Sequence, residues 1–143
     1  QSASGCPTIT TAQAIREAFT RFSIKKLVLI SPYVKETIEH EVHYLTETGF
    51  TVLHELGLGL DSDGYSAVTP DEWIRITKEN TRPDADGYFL SCTNTRMIEA
   101  IDRLEQDLGK PVISSNQATL WACLKKLGIA HTHKGLGRLF QLN

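Results

Sequence analysis

At 143 residues, with 41% hydrophobic and 22% charged side chains, the chain has the size and balance of one globular domain, which excludes disordered, collagenous and fibrous classes. Fifteen Lys and Arg against seventeen Asp and Glu leave a net charge of −2, without the basic surplus of a nucleic-acid reader. The longest apolar runs, such as Leu27–Ile30, are too short to cross a bilayer, and three cysteines without C-x-x-C spacing exclude a disulfide scaffold and a zinc ribbon.

The chain opens on Gln1-Ser2-Ala3-Ser4-Gly5, with no initiator Met and no signal-peptide pattern. A reducing cytoplasm is the default compartment for such cysteine usage, and the opening suggests a fragment. Thr10 with Gln13 fits a capping box, and Ile15, Ala18, Phe19 and Phe22 repeat at helical spacing. Lys26–Ser31 (KLVLIS) reads as a strand buried on both faces. Val34, Ile38, Val42 and Leu45 predict a second helix, closed at Gly49, where a left-handed residue is wanted. Thr51–Glu55 is the next strand, and residues 56–66 form one long irregular loop.

Thr69-Pro70-Asp71-Glu72 starts a third helix, with Pro at its first position. Gly87–Ser91 is a strand. Met97, Ile101, Leu104 and Leu108 follow on a helix beginning near Thr95 or Arg96 and ending at Gly109. Pro111–Ser114 is the last strand. Leu120, Cys123, Leu124 and Leu127 give the apolar face of a final helix stopped by Gly128, and the tail beyond it reads as weakly structured. Strands alternating with helices over short links predict an α/β domain over residues 1–143: a parallel sheet of about four strands with helices on both faces.

Ligands of open parallel sheets bind beyond the carboxyl ends of the strands. Ser31-Pro32-Tyr33, Ser91-Cys92-Thr93-Asn94 and Ser114-Ser115-Asn116 occupy such ends and are rich in hydroxyl, thiol and amide groups. Cys92 ends a strand just before a helix, where free amide hydrogens and the helix dipole favour a thiolate, so it is a candidate nucleophile or proton carrier; a buried structural cysteine is the alternative. Thr93 and Asn94 can offer backbone amides to an oxyanion or serve as caps. Tyr33 can donate to a carboxylate or simply pack over the sheet. Cys123 is expected on the apolar helix face and Cys6 in packing or on the surface.

Other patterns carry less. His40-Glu41-Val42-His43 has its histidines at i, i+3 rather than the i, i+4 of a zincin, and reads as the wet face of a helix. Asp61-Ser62-Asp63-Gly64 with Glu72 lacks the turn glycine of a calcium loop. Gly57-x-Gly59 lacks the third glycine of a dinucleotide site. His131, His133 and Lys134 can touch an anion or lie in a solvated tail. No metal-ligand set stands out.

Gly87-Tyr-Phe-Leu-Ser-Cys-Thr-Asn-Thr95 and Leu108-Gly-Lys-Pro-Val-Ile-Ser-Ser-Asn-Gln-Ala118, with Pro7–Ala12, Ser31-Pro-Tyr33 and Gly135–Phe140, resemble the aspartate/glutamate racemase superfamily. The resemblance is to its branch of maleate cis–trans isomerases, arylmalonate decarboxylases and ectoine-utilisation proteins. It implies a cofactor-free enzyme of two Rossmann- or flavodoxin-like halves, this chain being the C-terminal one, with a substrate cleft between them. It assigns Cys92 as one of two facing catalytic residues, Tyr33 as a carboxylate binder and the amides of Thr93 and Asn94 as oxyanion donors. Relatives often carry an asparagine where this chain has Ile38. The expected partner is a small dicarboxylate substrate, with a homo-oligomeric assembly and no nucleic acid, membrane or metal. A maleate-isomerase-type reaction leads; decarboxylation, racemisation or a non-catalytic binding module are the alternatives.

Overall fold

The computed structural model describes residues 5–130 and 132–141; the Gln1–Ser4 opening and His131 singled out above lie outside them. Four strands, β1 (Lys26–Ser31), β2 (Thr51–Gly57), β3 (Gly87–Leu90) and β4 (Val112–Ser114), form one sheet in the order β2-β1-β3-β4. Every pairing is parallel. Five helices, α1 (Thr11–Arg21), α2 (Lys35–Glu47), α3 (Pro70–Glu79), α4 (Ile101–Leu108) and α5 (Ser115–Lys126), make the connections.

Side-chain alternation along the central strands explains why both faces are covered. Leu27, Leu29, Phe89 and Ile113 point to one face and pack with Ala18 and Phe19 of α1, Ile38 and Leu45 of α2, and Ala118 and Trp121 of α5. Val28, Ile30, Tyr88, Leu90 and Val112 point to the other, against Trp73 and Ile76 of α3 and Ile101 and Leu104 of α4. Strand β1 therefore reads as a continuous apolar run, as a strand buried on both sides must. Phe19 anchors its layer by edge-on contacts with Phe50 and Phe89, at 5.1 and 5.3 Å between ring centres.

Both predicted capping boxes form: Thr10 and Thr69 accept from the Gln13 and Glu72 amides, with Pro70 in the first turn. Gly49, Gly109 and Gly128 take positive φ after α2, α4 and α5. Some expectations are corrected. Strand β2 runs on to Gly57, pairing it with Ser31, so the irregular loop is shorter. Strands β3 and β4 end and begin one residue inside the expected bounds.

The helix after Cys92 starts later than Thr95 or Arg96, with a 3-10 turn at Met97–Ala100 leading into α4. Helix α5 buries Ala118, Trp121 and Ala122, while Leu120 and Leu127 are 43% and 63% exposed. Two faces of that helix carry apolar residues at helical spacing, and contact with the sheet selects the one bearing the tryptophan. The tail is not loose: Leu139 and Phe140 are fully buried. Gly137 and Arg138 donate their backbone N–H groups to Asp102 and Glu105.

Candidate active site

The strand order places a topological switch between β1 and β3, since the chain leaves β1 to pair β2 on one side and returns as β3 on the other. Such a switch opens a crevice beyond the strands' carboxyl ends. A cavity of about 370 Å³ lies there, lined among others by Tyr33, Glu41, Ser91, Cys92, Thr93 and Ser115. Three strand ends that were separate in sequence thus meet in one place. No Lys, Arg or His lines this cavity among the described residues. A larger depression of about 640 Å³, lined by Arg16, Arg21, Lys25 and Lys125 among others, carries no thiol.

Cys92 is 5% exposed and adopts φ 151°, a backbone conformation that side-chain-bearing residues rarely take. Its neighbours hold it there. The Cys92 N–H donates to Ser115 Oγ at 3.2 Å. Thr95 Oγ1 donates to the Cys92 carbonyl at 3.4 Å. The twist brings the Asn94 N–H to Cys92 Sγ at 3.4 Å. Asn116 Nδ2 fastens the same turn to α5 by donating to the Thr93 carbonyl at 3.0 Å.

Tyr33 is clasped from β2's far end. The Gly59 and Leu60 N–H groups donate to the Tyr33 and Pro32 carbonyls at 3.0 and 2.9 Å, and the Tyr65 ring meets the Tyr33 ring edge-on. The loop over residues 58–64, which had no role in sequence, therefore positions the tyrosine. The phenol is held above its ordinary range, first by burial and then by hydrogen bonding to Cys92. It also reaches the Ser91 hydroxyl.

Sequence reasoning missed Glu41, which it placed on a wet helix face. His40 and His43 are indeed exposed, but Glu41 turns inward, and Ser91 Oγ donates to its Oε1. Its other oxygen is buried without a partner among the described residues. Burial pushes the Glu41 carboxyl above the usual range, with the Ser91 bond opposing. The signal was available: Ile38, Glu41 and Leu45 share the i, i+3, i+7 stripe that α2 turns to the core. The Asn94 side chain is exposed and outside the cavity lining; only its main-chain N–H reaches Cys92. Ile38 is buried core. Cys6 is exposed and Cys123 half-buried.

The arrangement suits proton transfer and oxyanion stabilisation in a small apolar-floored pocket. A thiol, a phenol, two serine hydroxyls and a buried carboxyl converge in this cavity. Among the described residues no group of His, Cys, Asp and Glu has the clustering of a metal site. No described helix is long and apolar enough to cross a membrane.

Comparison with known proteins gives this geometry a setting. The chain is 29% identical to a maleate isomerase of Geobacillus stearothermophilus over 131 residues, covering 90% of this chain and 52% of that protein. It is 29% identical to the arylmalonate decarboxylase of Bordetella bronchiseptica over an alignment of 146 residues, covering 98% and 60% respectively. The fold superposes on the crystal structure of a cysteine-to-alanine variant of the maleate isomerase Iso from Pseudomonas putida S16 with maleate. That match has a TM-score of 0.89 and 27% identity, covering 97% of this chain and 56% of the other. The chain thus spans little more than half the length of the relatives it matches. The arylmalonate decarboxylase family model matches residues 1–140, and this chain belongs to that family.

Proposed function

We propose that this chain forms the Cys92 side of a cofactor-independent isomerase that converts a small cis-dicarboxylate of the maleate type to its trans form. The observation that carries the reading is Cys92 in a strained turn, its sulfur met by the Asn94 N–H, with Tyr33 lining the same small cavity. Similarity to maleate isomerases, one of them solved with maleate, supports the substrate class. The reading assigns Cys92 as the catalytic residue, with Tyr33 and Thr93 binding substrate and the Asn94 amide steadying the sulfur.

The reaction needs a second reacting group on the far face of the substrate, which the family resemblance places in a preceding half of the protein. A thiolate there adds to one alkene carbon, forming a C–S bond as the π pair is released. The other alkene carbon takes the proton from Cys92 Sγ, leaving a thiolate at Cys92. Rotation about the new single bond follows. Cys92 then recovers the proton, the C–H pair restores the double bond, and the C–S pair returns to the departing sulfur. The Tyr33 hydroxyl and the main-chain amides of the Cys92 turn hold charge that builds on the neighbouring carboxylate, the term that usually dominates in such sites. A reducing cytoplasm fits this reading, because a free thiol is kept reduced there.

A second reading is decarboxylation of a malonate, favoured by the family model and by the Bordetella relative. It uses the same oxyanion donors and the same Cys92 proton. One experiment separates the two. The intact protein, carrying both halves, is incubated with maleate, with fumarate followed by NMR, and with phenylmalonate, with carbon dioxide release followed. Fumarate formation that disappears in Cys92→Ala is expected. Full turnover by Cys92→Ala removes the assignment, and activity on phenylmalonate alone selects the decarboxylase.

A further inference from the structure

Cys92 holds φ 151°, a conformation that lasts only where its surroundings over-determine it. Two bonds reach its turn from the first turn of α5, one on either side of the strained residue. Ser115 Oγ accepts from the Cys92 N–H at 3.2 Å, and Asn116 Nδ2 donates to the Thr93 carbonyl at 3.0 Å. The place of the sulfur therefore depends on where the first turn of α5 stands.

One side chain fixes that turn with both ends of its amide. Gln117 is fully buried and closes a capping box with Ser114. Its N–H donates to Ser114 Oγ at 3.2 Å, and its Oε1 accepts from the Ser114 N–H at 3.3 Å. A capping box asks no more of this side chain than that oxygen. The nitrogen reaches elsewhere: Gln117 Nε2 donates to the Leu136 carbonyl at 2.6 Å.

The tail that Gln117 grips is a firm anchor. Leu139 and Phe140 are fully buried, and the Gly137 and Arg138 N–H groups donate to Asp102 and Glu105, both at 2.6 Å. Glu105 Oε1 also accepts from the Val112 N–H at 3.0 Å, which ties the same carboxyl to the start of β4, the strand that leads into Ser114. The tail, β4 and α5 thus meet around Gln117. Neither Gln117 nor any described residue of the tail lines the cavity, so whatever they contribute to the chemistry passes through the Cys92 turn.

We propose that Gln117 is a positioning residue for Cys92: it locks the first turn of α5 to the C-terminal tail, so that Ser115 and Asn116 hold the Cys92 turn where the Asn94 N–H meets the sulfur. The inference rests on Cys92 being the reacting thiol but not on which substrate it meets. It makes residues 135–141, outside the cavity, part of what aims the sulfur.

The test reads the turn directly. In the intact protein, carrying both halves, amide hydrogen exchange is followed by NMR in wild type, Gln117→Met, Gly137→Ala and Asn116→Ala. Methionine keeps the volume of glutamine and removes both amide ends. Gly137→Ala disturbs the tail from its own side, since the added methyl would stand 2.9 Å from Gln117 Nε2. Each variant is expected to speed exchange at the Cys92 and Asn94 amides about tenfold, while Tyr88, Phe89 and Leu90 of β3 stay within about twofold. Combining Gln117→Met with Asn116→Ala adds nothing further, because both release the same turn. Unchanged exchange at Cys92 and Asn94, or a rise shared equally by β3, overturns the proposal, the second because it marks general destabilisation. Should Gln117→Met fail to fold, Gly137→Ala and Asn116→Ala carry the same comparison, and additive effects between them overturn the link to the tail. On whichever of maleate and phenylmalonate the protein turns over, Gln117→Met is expected to lower kcat about tenfold with KM within about twofold, and an unchanged kcat overturns the positioning role. Cys92→Ala is scored alongside: full turnover by that variant removes the Cys92 reading itself, whereas a dead Cys92→Ala beside an unaltered Gln117→Met removes this inference alone.

Discussion

The backbone N–H of Asn94 donates to Cys92 Sγ over 3.4 Å, two residues along the same turn. An amide so placed reaches the sulfur whatever side chain its residue carries. Asn94→Ala is therefore expected to leave Cys92 alkylation within about twofold of wild type. Asn94→Pro, which removes the donor, slows it about tenfold. Iodoacetamide kinetics on a protein with Cys92 as sole cysteine checks both, and loss of reactivity in Asn94→Ala would shift the contribution to the side chain.

Gly57 sits where the end of β2 passes under the Tyr33 turn. A methyl group there would lie 2.5 Å from the Tyr33 carbonyl oxygen, a backbone atom that cannot move alone. Gly57→Ala is expected to displace Tyr33 and lower kcat on the substrate about tenfold or more, since an ångström of misplacement costs on the order of 100-fold in such sites. Its melting temperature falls only modestly, because β2 is an edge strand. Steady-state kinetics beside a thermal melt distinguishes this from general unfolding.

Gly137 has φ 73°, and an added methyl would stand 2.5 Å from Ile101 Cγ2 and 2.9 Å from both Gln117 Nε2 and Glu105 Oε2. Those groups tie the tail to α4 and α5, with Gln117 Nε2 donating to the Leu136 carbonyl at 2.6 Å. Gly137→Ala is expected to cost about 1–3 kcal/mol from backbone strain and overpacking. Urea unfolding measures it, and an unchanged midpoint would show that the tail does not contribute to the cooperative fold.

Asp86 accepts from the backbone N–H groups of Lys25 and Lys26 at 2.9 and 2.7 Å, fastening the approach to β3 onto the start of β1. These bonds hold its carboxyl below the usual range. A carboxylate depressed in the folded state contributes stability above its unfolded pKa of about 3.9, and that contribution is lost as the pH falls through the lower folded value. Asp86→Asn is expected to be less stable near neutrality and to show a shallower loss on acidification. Thermal melts across the acid limb test it; parallel curves for the two proteins would contradict the assignment.

Strands, capping boxes and the alternation of layers were legible because local rules set them. Lys26–Ser31 reads as a strand buried on both faces, and all of it but Lys26 is buried, while Thr10, Thr69 and the closing glycines mark helix ends through bonds within a few residues. The position of Cys92, Tyr33 and Ser115 at strand ends was equally legible, since a parallel sheet gathers those ends on one edge. Glu41, the Tyr33 clasp and the buried tail were not.

The sequence by itself determined where strands and helices fall and at which end of the sheet Tyr33, Cys92 and Ser115 stand, because strand and helix periods are properties of neighbouring residues. Only the tertiary structure decided which side of α2 faces β3, which face of α5 meets the sheet, and how the turn at Cys92 twists its sulfur onto the Asn94 amide. Those choices depend on packing between segments dozens of residues apart, where two locally equivalent faces differ only in what the rest of the fold presses against them.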